Sequence, residues 1–173
     1  MANLMNEKRI NEIINFLNSL NIKSKRFIDI VNSKNTSIIN TFNEALTHSS
    51  SNKKINYEKL EFFGDAVLRL SASDFIERTY SNISVGARSE LRSQIVSDEW
   101  LNEVGEKISI EDVIIKGSKA INDKNSKDTI IAEGTEALIG AIYKCFNSIQ
   151  EVNIWLDDIW GKDAELFLKA PYK

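Results

Sequence analysis

The sequence predicts an all-α protein built as a single multi-helix domain. Apolar residues recur every three or four positions along most of the 173 residues, which is the spacing of a helix with one buried face. The only proline, Pro171, lies close to the C-terminus, so no proline interrupts helices in the body of the chain. Apolar residues make up 42% and charged residues 27%, values typical of a globular domain. We expect one domain over residues 1–173, a core at about 25–165, and no strand.

The N-terminal part of the chain is predicted to contain two helices. Residues 6–20 form an amphipathic helix, because isoleucine and leucine recur there at helical spacing. Residues 21–35 are polar and mixed, and only their apolar residues are expected to anchor them. Residues 36–46 form a short helix, and residues 49–55 form a polar loop.

The most clearly patterned helix is predicted at residues 57–80. Asn56 is its expected N-cap, and Glu58 and Glu61 lie in its first turns, where the helix dipole favours anions. Its apolar stripe consists of Leu60, Phe63, Val67 and Leu70.

The second half of the chain is predicted to be mostly helical. In order, we expect a turn at 81–86, a helix at 87–96, a helix from Ser97 to Gly105, a capped segment at Ser109 and Asp112, a polar loop at 117–125, a second central helix at 126–147 and a terminal helix at 149–169. Ser97 is an expected N-cap, and Gly105 an expected helix end.

Composition and charge limit the function classes. The net charge is −3 and the isoelectric point about 5.3, so bulk charge does not indicate a nucleic-acid-binding domain. Binding to RNA would have to depend on local basic patches or on bound cations. The single cysteine, Cys145, excludes an intrachain disulfide, and the polar N-terminus contains no apolar signal core. With no stretch of about 18 apolar residues, we expect an intracellular protein without a membrane partner.

Paired carboxylates are the chemistry-bearing pattern of the sequence. Glu58, Glu61 and Asp65 share one face of the first central helix, and Glu133 and Glu136 share one face of the second. Two helices that each present paired carboxylates can build a site for a hard divalent cation, which prefers oxygen ligands. The alternative is an acidic face that simply contacts solvent.

Two glycines lie beside these carboxylates. Gly64 precedes Asp65, and Gly134 lies between Glu133 and Glu136. A glycine inside a helix costs about 1 kcal/mol relative to alanine, which indicates that a helix or a ligand approaches closely there. Ordinary packing is the alternative explanation for both.

Four segments resemble the ribonuclease III family. Residues 56–68 (NYEKLEFFGDAVL) resemble its signature motif, and residues 44–50 (EALTHSS) resemble its upstream motif. Residues 91–97 (LRSQIVS) resemble its middle segment, and residues 131–140 (IAEGTEALIG) resemble its second acidic motif. The four matches occur in the family's order and span about residues 40–160.

The resemblance implies an all-helical, dimeric endonuclease domain that hydrolyses double-stranded RNA. The products would carry 5′-phosphate and 3′-hydroxyl ends with short 3′ overhangs. The implied catalytic residues, which also bind Mg²⁺ or its substitute Mn²⁺, are Glu61, Asp65, Glu133 and Glu136. Glu58 matches a position at the edge of the site associated with RNA contact, and Phe62 and Phe63 lie at the implied homodimer interface.

The chain departs from the family pattern in two ways. Glu133 stands where the family usually has aspartate, which can change metal preference or slow the reaction. We also expect no double-stranded-RNA-binding domain within residues 1–173. Two alternatives therefore stay open: a non-catalytic member of the fold that binds RNA or plays a structural part, and a helical interaction module unrelated to RNA.

Several other residues are weighed against an ordinary structural role. Lys116 and Lys119, around the polar loop before the second acidic motif, are the preferred RNA contacts. Further candidates for phosphate contact, with solvated surface charge as the alternative, are Lys53, Lys54, Arg88, Arg92, Lys124 and Lys127. We expect His48 to anchor a loop and Cys145 to be buried. The three tryptophans, expected in the core, are Trp100, Trp155 and Trp160.

Overall fold

The all-α prediction is confirmed. In a computed structural model, the described residues are 5–123 and 126–169, with the side chain of Asn122 excluded, and they form nine α-helices. These are α1 (Glu7–Ser19), α2 (Lys25–Asn32), α3 (Thr36–Ala45), α4 (Glu58–Thr79), α5 (Val85–Ile95), α6 (Asp98–Lys107), α7 (Ser118–Asn122), α8 (Lys127–Phe146) and α9 (Ile149–Lys169). Short 3₁₀ helices cover Ser49–Ser51 and Ile110–Asp112.

Helices α4 and α8 form the centre of the domain. They make the most extensive helix pair, and α3, α6 and α9 pack around α8 while α5 and α9 pack on α4. Most of α8 is buried, in keeping with its high apolar content. Within the described part of the chain, no helix has the combination of length and apolar character needed to cross a membrane.

Two glycines allow α4 and α8 to meet backbone to backbone. A Cβ atom added at Gly64 would lie 1.9 Å from the carbonyl oxygen of Glu136, and one added at Gly140 would lie 2.4 Å from that of Leu60. The expected close approach at Gly64 is therefore an approach of helices. At Gly134 an added Cβ would lie 2.6 Å from the Cδ1 atom of Ile114, so ordinary packing explains that glycine.

A pairing of two loops fixes the start of α4. The backbone N–H of His48 donates to the carbonyl of Ile115 at 2.9 Å, and the N–H of Gly117 donates to the Ser50 hydroxyl oxygen at 2.9 Å. The imidazole Nδ1 of His48 is also hydrogen bonded to the Ser50 hydroxyl at 2.6 Å. His48 thus anchors a loop, as expected, and links the residues before α4 to the segment before α7.

Arg9 docks the N-terminal helix onto this core. Its guanidinium donates to the carbonyl oxygen of Val113 at 2.8 Å, to that of Leu46 at 3.2 Å and to the side chain of Asn43 at 2.9 Å. The last carbonyls of α3 lack helical partners, and a cation at a helix C-terminus is favourable. One side chain therefore joins α1, α3 and the segment before Ile114.

Local boundary predictions were wrong at four places. Residues 21–35 contain α2, which Ser24 caps by accepting a hydrogen bond from the N–H of Phe27. Gly105 does not end its helix, because α6 continues to Lys107. Ser109 occupies the N-cap position of a 3₁₀ helix only, where it has a left-handed φ of 56° and makes no side-chain capping bond. The loop predicted at 117–125 contains α7.

The start of α4 differs from the prediction by one residue. The cap position is Tyr57, which makes no side-chain capping bond. Asn56 instead accepts a hydrogen bond at 3.1 Å from the N–H of Glu58, the first residue of the helix. The other long helices begin and end within two residues of their predicted limits.

The tryptophans lie in the core, as predicted. Trp100 and Trp160 are fully buried, and their rings pack together at a centroid distance of 5.7 Å with a tilt of 32°. Each indole N–H has an acceptor, which a buried tryptophan requires: Asp163 for Trp100 and the carbonyl of Ile95 for Trp160, both at 3.0 Å. Cys145 is only half-buried, but burial raises the pKa of its thiol to about 12.

Candidate functional site

An acidic cleft of about 350 Å³ lies where α4, α6 and α8 meet. It is lined by Glu61, Asp98, Glu99, Asn102, Asp128, Thr129, Ala132, Glu133 and Glu136. The fold thus brings together three of the four carboxylates singled out in the sequence. The fourth, Asp65, lies one turn along α4 from Glu61, close enough to influence the charge of Glu136.

Glu136 has the most strongly perturbed carboxyl group of the cleft. Burial, followed by the negative charges of Asp65, Glu61 and Asp98, raises its pKa to about 8. Arg69 opposes this shift, but does not cancel it. At neutral pH, with no cation in the cleft, Glu136 is therefore mostly protonated.

Glu61 is perturbed in the same direction. Burial raises its pKa, and the charges of Glu133 and Glu58 add to the effect. Like charges gathered in a partly desolvated space favour protons or cations that neutralise them. Among the described residues, no three acidic, histidine or cysteine side chains lie close enough together to hold one ion directly.

Asp65 has an internal counterion. Arg69, one turn later on α4, donates from Nε to its carboxylate at 2.7 Å. Both side chains contact solvent, with 60% of Arg69 and 37% of Asp65 exposed. Exposed pairs of this kind are weak, so the contact can exchange for another cation.

A buried tyrosine holds Glu133. The Tyr57 hydroxyl donates a hydrogen bond to Oε2 of Glu133, across the interface between α4 and α8. Burial, followed by this bond and the charge of Glu133, raises the pKa of Tyr57 well above its usual range. In the sequence, Tyr57 is recognisable only as one residue of the motif at 56–68, which indicates no role for it.

The rim of the cleft also contains acidic residues that the sequence analysis did not assign to the site. Asp98 and Glu99 form the first turn of α6, and both line the cleft. Asp128 of α8 lines it as well. The sequence predicts that Asp98 lies at the start of a helix, but not that it lies near α4. That distance depends on how α6 packs on α8.

The outer face of α4 is apolar and exposed. Phe62 is 83% exposed and Leu70 60% exposed, and the exposed Ala66 lies between them at helical spacing. Phe63 differs, because its ring packs edge-to-face on Tyr143 at a centroid distance of 5.4 Å. Of the two phenylalanines assigned to an interface, Phe62 alone is fully accessible.

The basic candidates divide into paired and exposed side chains. Lys116 is only 14% exposed and pairs with Glu111 at 2.8 Å, and Lys127 pairs with the same carboxylate at 2.9 Å. Lys119 is exposed on α7. Lys124 lies outside the described residues.

Four further basic candidates lie elsewhere on the surface. Arg88 pairs with Glu77, and Arg92 donates to the hydroxyl of Ser73 at 3.1 Å. Lys53 and Lys54 are exposed in the loop before α4. Glu58, assigned to the edge of the site, is exposed at the first turn of α4.

Comparison with known sequences gives a consistent picture. A ribonuclease-III-like family profile matches residues 39–152. The chain is 43% identical over 173 residues to ribonuclease 3 of Prochlorococcus marinus, covering all of this chain and 69% of that protein. It is 36% identical over 146 residues to ribonuclease 3 of Borreliella burgdorferi, covering 81% and 54% of the two chains. A second ribonuclease 3 of Nostoc sp. is 35% identical over 113 residues, covering 65% and 47%.

Comparison with solved structures agrees on the fold. Two structures of the nuclease domain of ribonuclease III from Campylobacter jejuni superpose with TM-scores of 0.69 and 0.58, at 25% and 24% identity. The first match covers 90% of this chain and 97% of that domain, and the second covers 100% and 99%. The first of these structures is described as flexible in a region involved in dimer formation.

Proposed function

This chain belongs to the ribonuclease III family, and from that premise we propose that it is an endoribonuclease that hydrolyses double-stranded RNA with the help of Mg²⁺. The products would carry 5′-phosphate and 3′-hydroxyl ends with short 3′ overhangs. The observation that carries the proposal is the cleft in which α4 and α8 bring together Glu61, Glu133 and Glu136, with the pKa of Glu136 raised to about 8.

The donor set of the cleft fits a hard divalent cation. We assign Glu61, Asp65, Glu133 and Glu136 as the residues that would hold it. All of their donor atoms are oxygens, and burial together with neighbouring negative charges raises the pKa values of Glu61 and Glu136, an effect that a bound cation would oppose. Mg²⁺ usually keeps several waters and takes few protein ligands, which suits carboxylates that do not converge on one point.

An unpartnered oxygen supports the same assignment. The side-chain Oδ1 atom of Asn102 is buried in the cleft wall without a hydrogen-bond partner among the described residues. Buried polar atoms are rarely left unpaired, so a hydrated cation nearby would complete its bonding. When bound, a divalent cation would lower the pKa of a water molecule that it holds and would place positive charge beside the phosphate.

The chain's own residues supply position and electrostatic environment. The contact at Gly64 fixes the distance between the carboxylates of α4 and those of α8. Partial burial of Glu61 and Glu136 strengthens their attraction for a cation, because the local dielectric is lower than that of water. Bound cations would also offset the net charge of −3, which by itself opposes RNA binding.

Contact with the RNA backbone is proposed for the basic segment that precedes α8 in the chain and contains Lys116 and Lys119. Lys119 is exposed and available to a phosphate, whereas Lys116 would first have to leave Glu111. Glu58 is proposed at the edge of the site. Duplex RNA is recognised mainly through its shape and its phosphate and 2′-hydroxyl groups, so a few such contacts can orient it.

We propose a homodimer that uses the apolar face of α4, with Phe62 inserted into a pocket of the partner. An exposed row of Phe62, Ala66 and Leu70 is costly in water unless it is covered. Pairing two such faces would place two clefts along one duplex, which accounts for cleavage of both strands with an overhang.

Replacing Phe62 with glutamate is expected to convert the dimer to a monomer. Burying a phenylalanine stabilises an interface by about 1.5–3 kcal/mol. Because each subunit of the symmetric dimer contributes one Phe62, the variant loses this stabilisation twice and buries two unpaired charges. Sedimentation velocity at micromolar concentration measures the effect. Val85, 79% exposed at the start of α5, gives the matched control: Val85→Glu should remain dimeric. A dimeric Phe62→Glu variant would contradict the proposed interface.

Replacing Arg69 with glutamine is expected to tighten Mn²⁺ binding. An exposed ion pair contributes about 0.2–1 kcal/mol, so freeing Asp65 should improve affinity by roughly 1.5–5-fold. The free Mn²⁺ signal in electron paramagnetic resonance gives the affinity. Arg78→Gln is the matched control, because Arg78 also forms an exposed pair with a carboxylate four residues earlier, but at the far end of α4. Weaker binding by Arg69→Gln would mean that Arg69 supports the site.

The decisive test is cleavage of a labelled duplex of about 30 base pairs, longer than the roughly 16 base pairs spanned by one duplex-binding module. Reactions contain Mg²⁺, Mn²⁺ or a chelator, and a single strand of the same sequence is the control. Cutting of the duplex alone, only with metal, supports the proposal. Cutting of both substrates would contradict duplex specificity.

A non-catalytic member of the family is the alternative, and Glu133 favours it. The longer side chain in place of the usual aspartate can misplace a ligand, and Asp65 is already paired with Arg69. Activity with Mn²⁺ alone would indicate that Glu133 alters metal preference. Duplex binding without cutting under any condition would establish the alternative.

A further inference from the structure

The backbone of Tyr57 is held rigidly at the start of α4. Its N–H donates to the carbonyl of Thr47 at 2.9 Å, which ties it to the paired loops. Its carbonyl accepts from the N–H groups of Leu60 at 2.8 Å and Glu61 at 2.9 Å, which ties it to the first turn of the helix. The backbone of Tyr57, which precedes Glu58 and Glu61, is therefore held by hydrogen bonds on both sides.

The ring of Tyr57 is fixed as well. It is only 1% exposed and packs edge-to-face against the imidazole of His48 at a centroid distance of 5.1 Å. His48 itself is bonded to Ile115 through its backbone and to Ser50 through its ring. The ring is therefore packed against the residue that joins the two loops.

The hydroxyl donates to Oε2 of Glu133, on the other central helix. The bond leaves the second carboxylate oxygen of Glu133 uncommitted to Tyr57. A buried hydroxyl needs an acceptor, and a glutamate loses more rotamer freedom on being fixed than most side chains do. The contact thus restrains the one carboxylate of the site whose side chain is longer than the family resemblance predicts.

We propose that Tyr57 is a positioning residue: its hydroxyl holds the Glu133 carboxylate in the orientation that binds the divalent cation, and so offsets the extra methylene of Glu133. The inference rests on the proposed function. The added carbon extends the side chain by about 1.5 Å, the length of one C–C bond. A hydrogen bond from the buried Tyr57 hydroxyl restricts the positions that the Glu133 carboxylate can occupy. Groups that orient a metal ligand through a hydrogen bond are expected to matter for affinity as well as for rate.

The test is Mn²⁺ affinity, measured by electron paramagnetic resonance on the full chain. Tyr57→Phe keeps the ring and removes only the hydroxyl, so we expect affinity to fall about 10-fold or more, as it does when a supporting hydrogen bond to a ligand is removed. Tyr80→Phe is the matched control, because Tyr80 is partly buried against Phe75 at the opposite end of α4. Its affinity should equal that of the wild type.

The outcomes separate the inference from the proposed function. A wild type that does not bind Mn²⁺ would contradict the proposed function itself. A wild type that binds, together with a Tyr57→Phe variant that binds equally tightly, would overturn only the positioning role.

A second measurement is independent of the metal. In a double-mutant cycle of Tyr57→Phe and Glu133→Ala, followed by urea unfolding in the presence of a chelator, the combined loss of stability should differ from the sum of the two single losses. Strictly additive losses of stability would mean that the hydroxyl does not hold Glu133. This result would overturn the proposal whatever the metal affinities of the variants.

Discussion

Replacing Gly64 with alanine is expected to destabilise the protein by more than about 3 kcal/mol, at or beyond the upper end for an overpacked core position. The new Cβ would lie 1.9 Å from the carbonyl oxygen of Glu136, and the backbone there cannot rotate away as a side chain can. The helices would have to separate, which moves Glu61 and Asp65 relative to Glu133 and Glu136. Loss of stability and loss of metal affinity should therefore appear together.

Urea denaturation measures the first effect, and Gly161→Ala provides the control. Gly161 lies inside α9, and an added Cβ would meet nothing within 4 Å. Alanine is a better helix former than glycine, so this variant should be more stable by up to about 1 kcal/mol. A Gly64→Ala variant as stable as the wild type would show that α4 and α8 are not in backbone contact.

Strong periodicity made the central part of the fold predictable. The helices at α4, α8 and α9 carry apolar residues at regular spacing over many turns, and their limits were predicted within two residues. The same regularity placed Glu61 and Asp65 on one face of α4. Spacing along one helix is a local property, and sequence alone determines it.

Weak or conflicting local signals explain the missed elements. Helix α2 has eight residues, with polar side chains among its apolar ones, and depends on its Ser24 cap and on buried Phe27 and Val31. Gly105 is a reasonable helix end by propensity, yet it lies where α6 crosses α8, and an added Cβ would be 2.3 Å from Ile131. Tertiary packing overrides propensity at that position.

Contacts between distant segments could not be predicted from the sequence. The bond from Tyr57 to Glu133 joins residues on two helices whose register depends on Gly64 and Gly140. The position of Asp98 in the cleft depends on the packing of α6. Spacing predicts which side chains share a face, but not which faces meet.

Replacing Glu136 with glutamine is expected to change activity and stability in opposite directions. Cleavage should fall by at least about 100-fold, because losing even a group that supports a metal ligand costs about 10–100-fold. The metal-free variant should nevertheless be more stable than the wild type near pH 8. Glutamine fills the same volume without a charge that burial disfavours and that Asp65, Glu61 and Asp98 repel.

The pH dependence follows from the direction of the pKa shift. The pKa of Glu136 is about 8 in the folded protein, against 4.5 for an unperturbed glutamate, so the folded state holds a proton that the unfolded state releases. Stability contributed by this group is fully present below about pH 4.5 and is lost as pH rises through about 8. Each pKa unit corresponds to about 1.4 kcal/mol, and because solvent in the open cleft screens the charge we expect a loss on the order of 2–3 kcal/mol in total.

Urea unfolding of the metal-free proteins from pH 5 to pH 8 tests this expectation. The wild type should lose stability relative to Glu136→Gln across that interval. Millimolar Mg²⁺ should raise the stability of the wild type more than that of the variant, since a cation binds the ionised site of the folded state. Glu90→Gln, an exposed carboxylate on α5, is the control and should follow the wild type at every pH. Parallel curves for wild type and Glu136→Gln would mean that Glu136 is not held under charge repulsion in the cleft, and the assignment of Glu136 as a metal ligand would then lose its main electrostatic support.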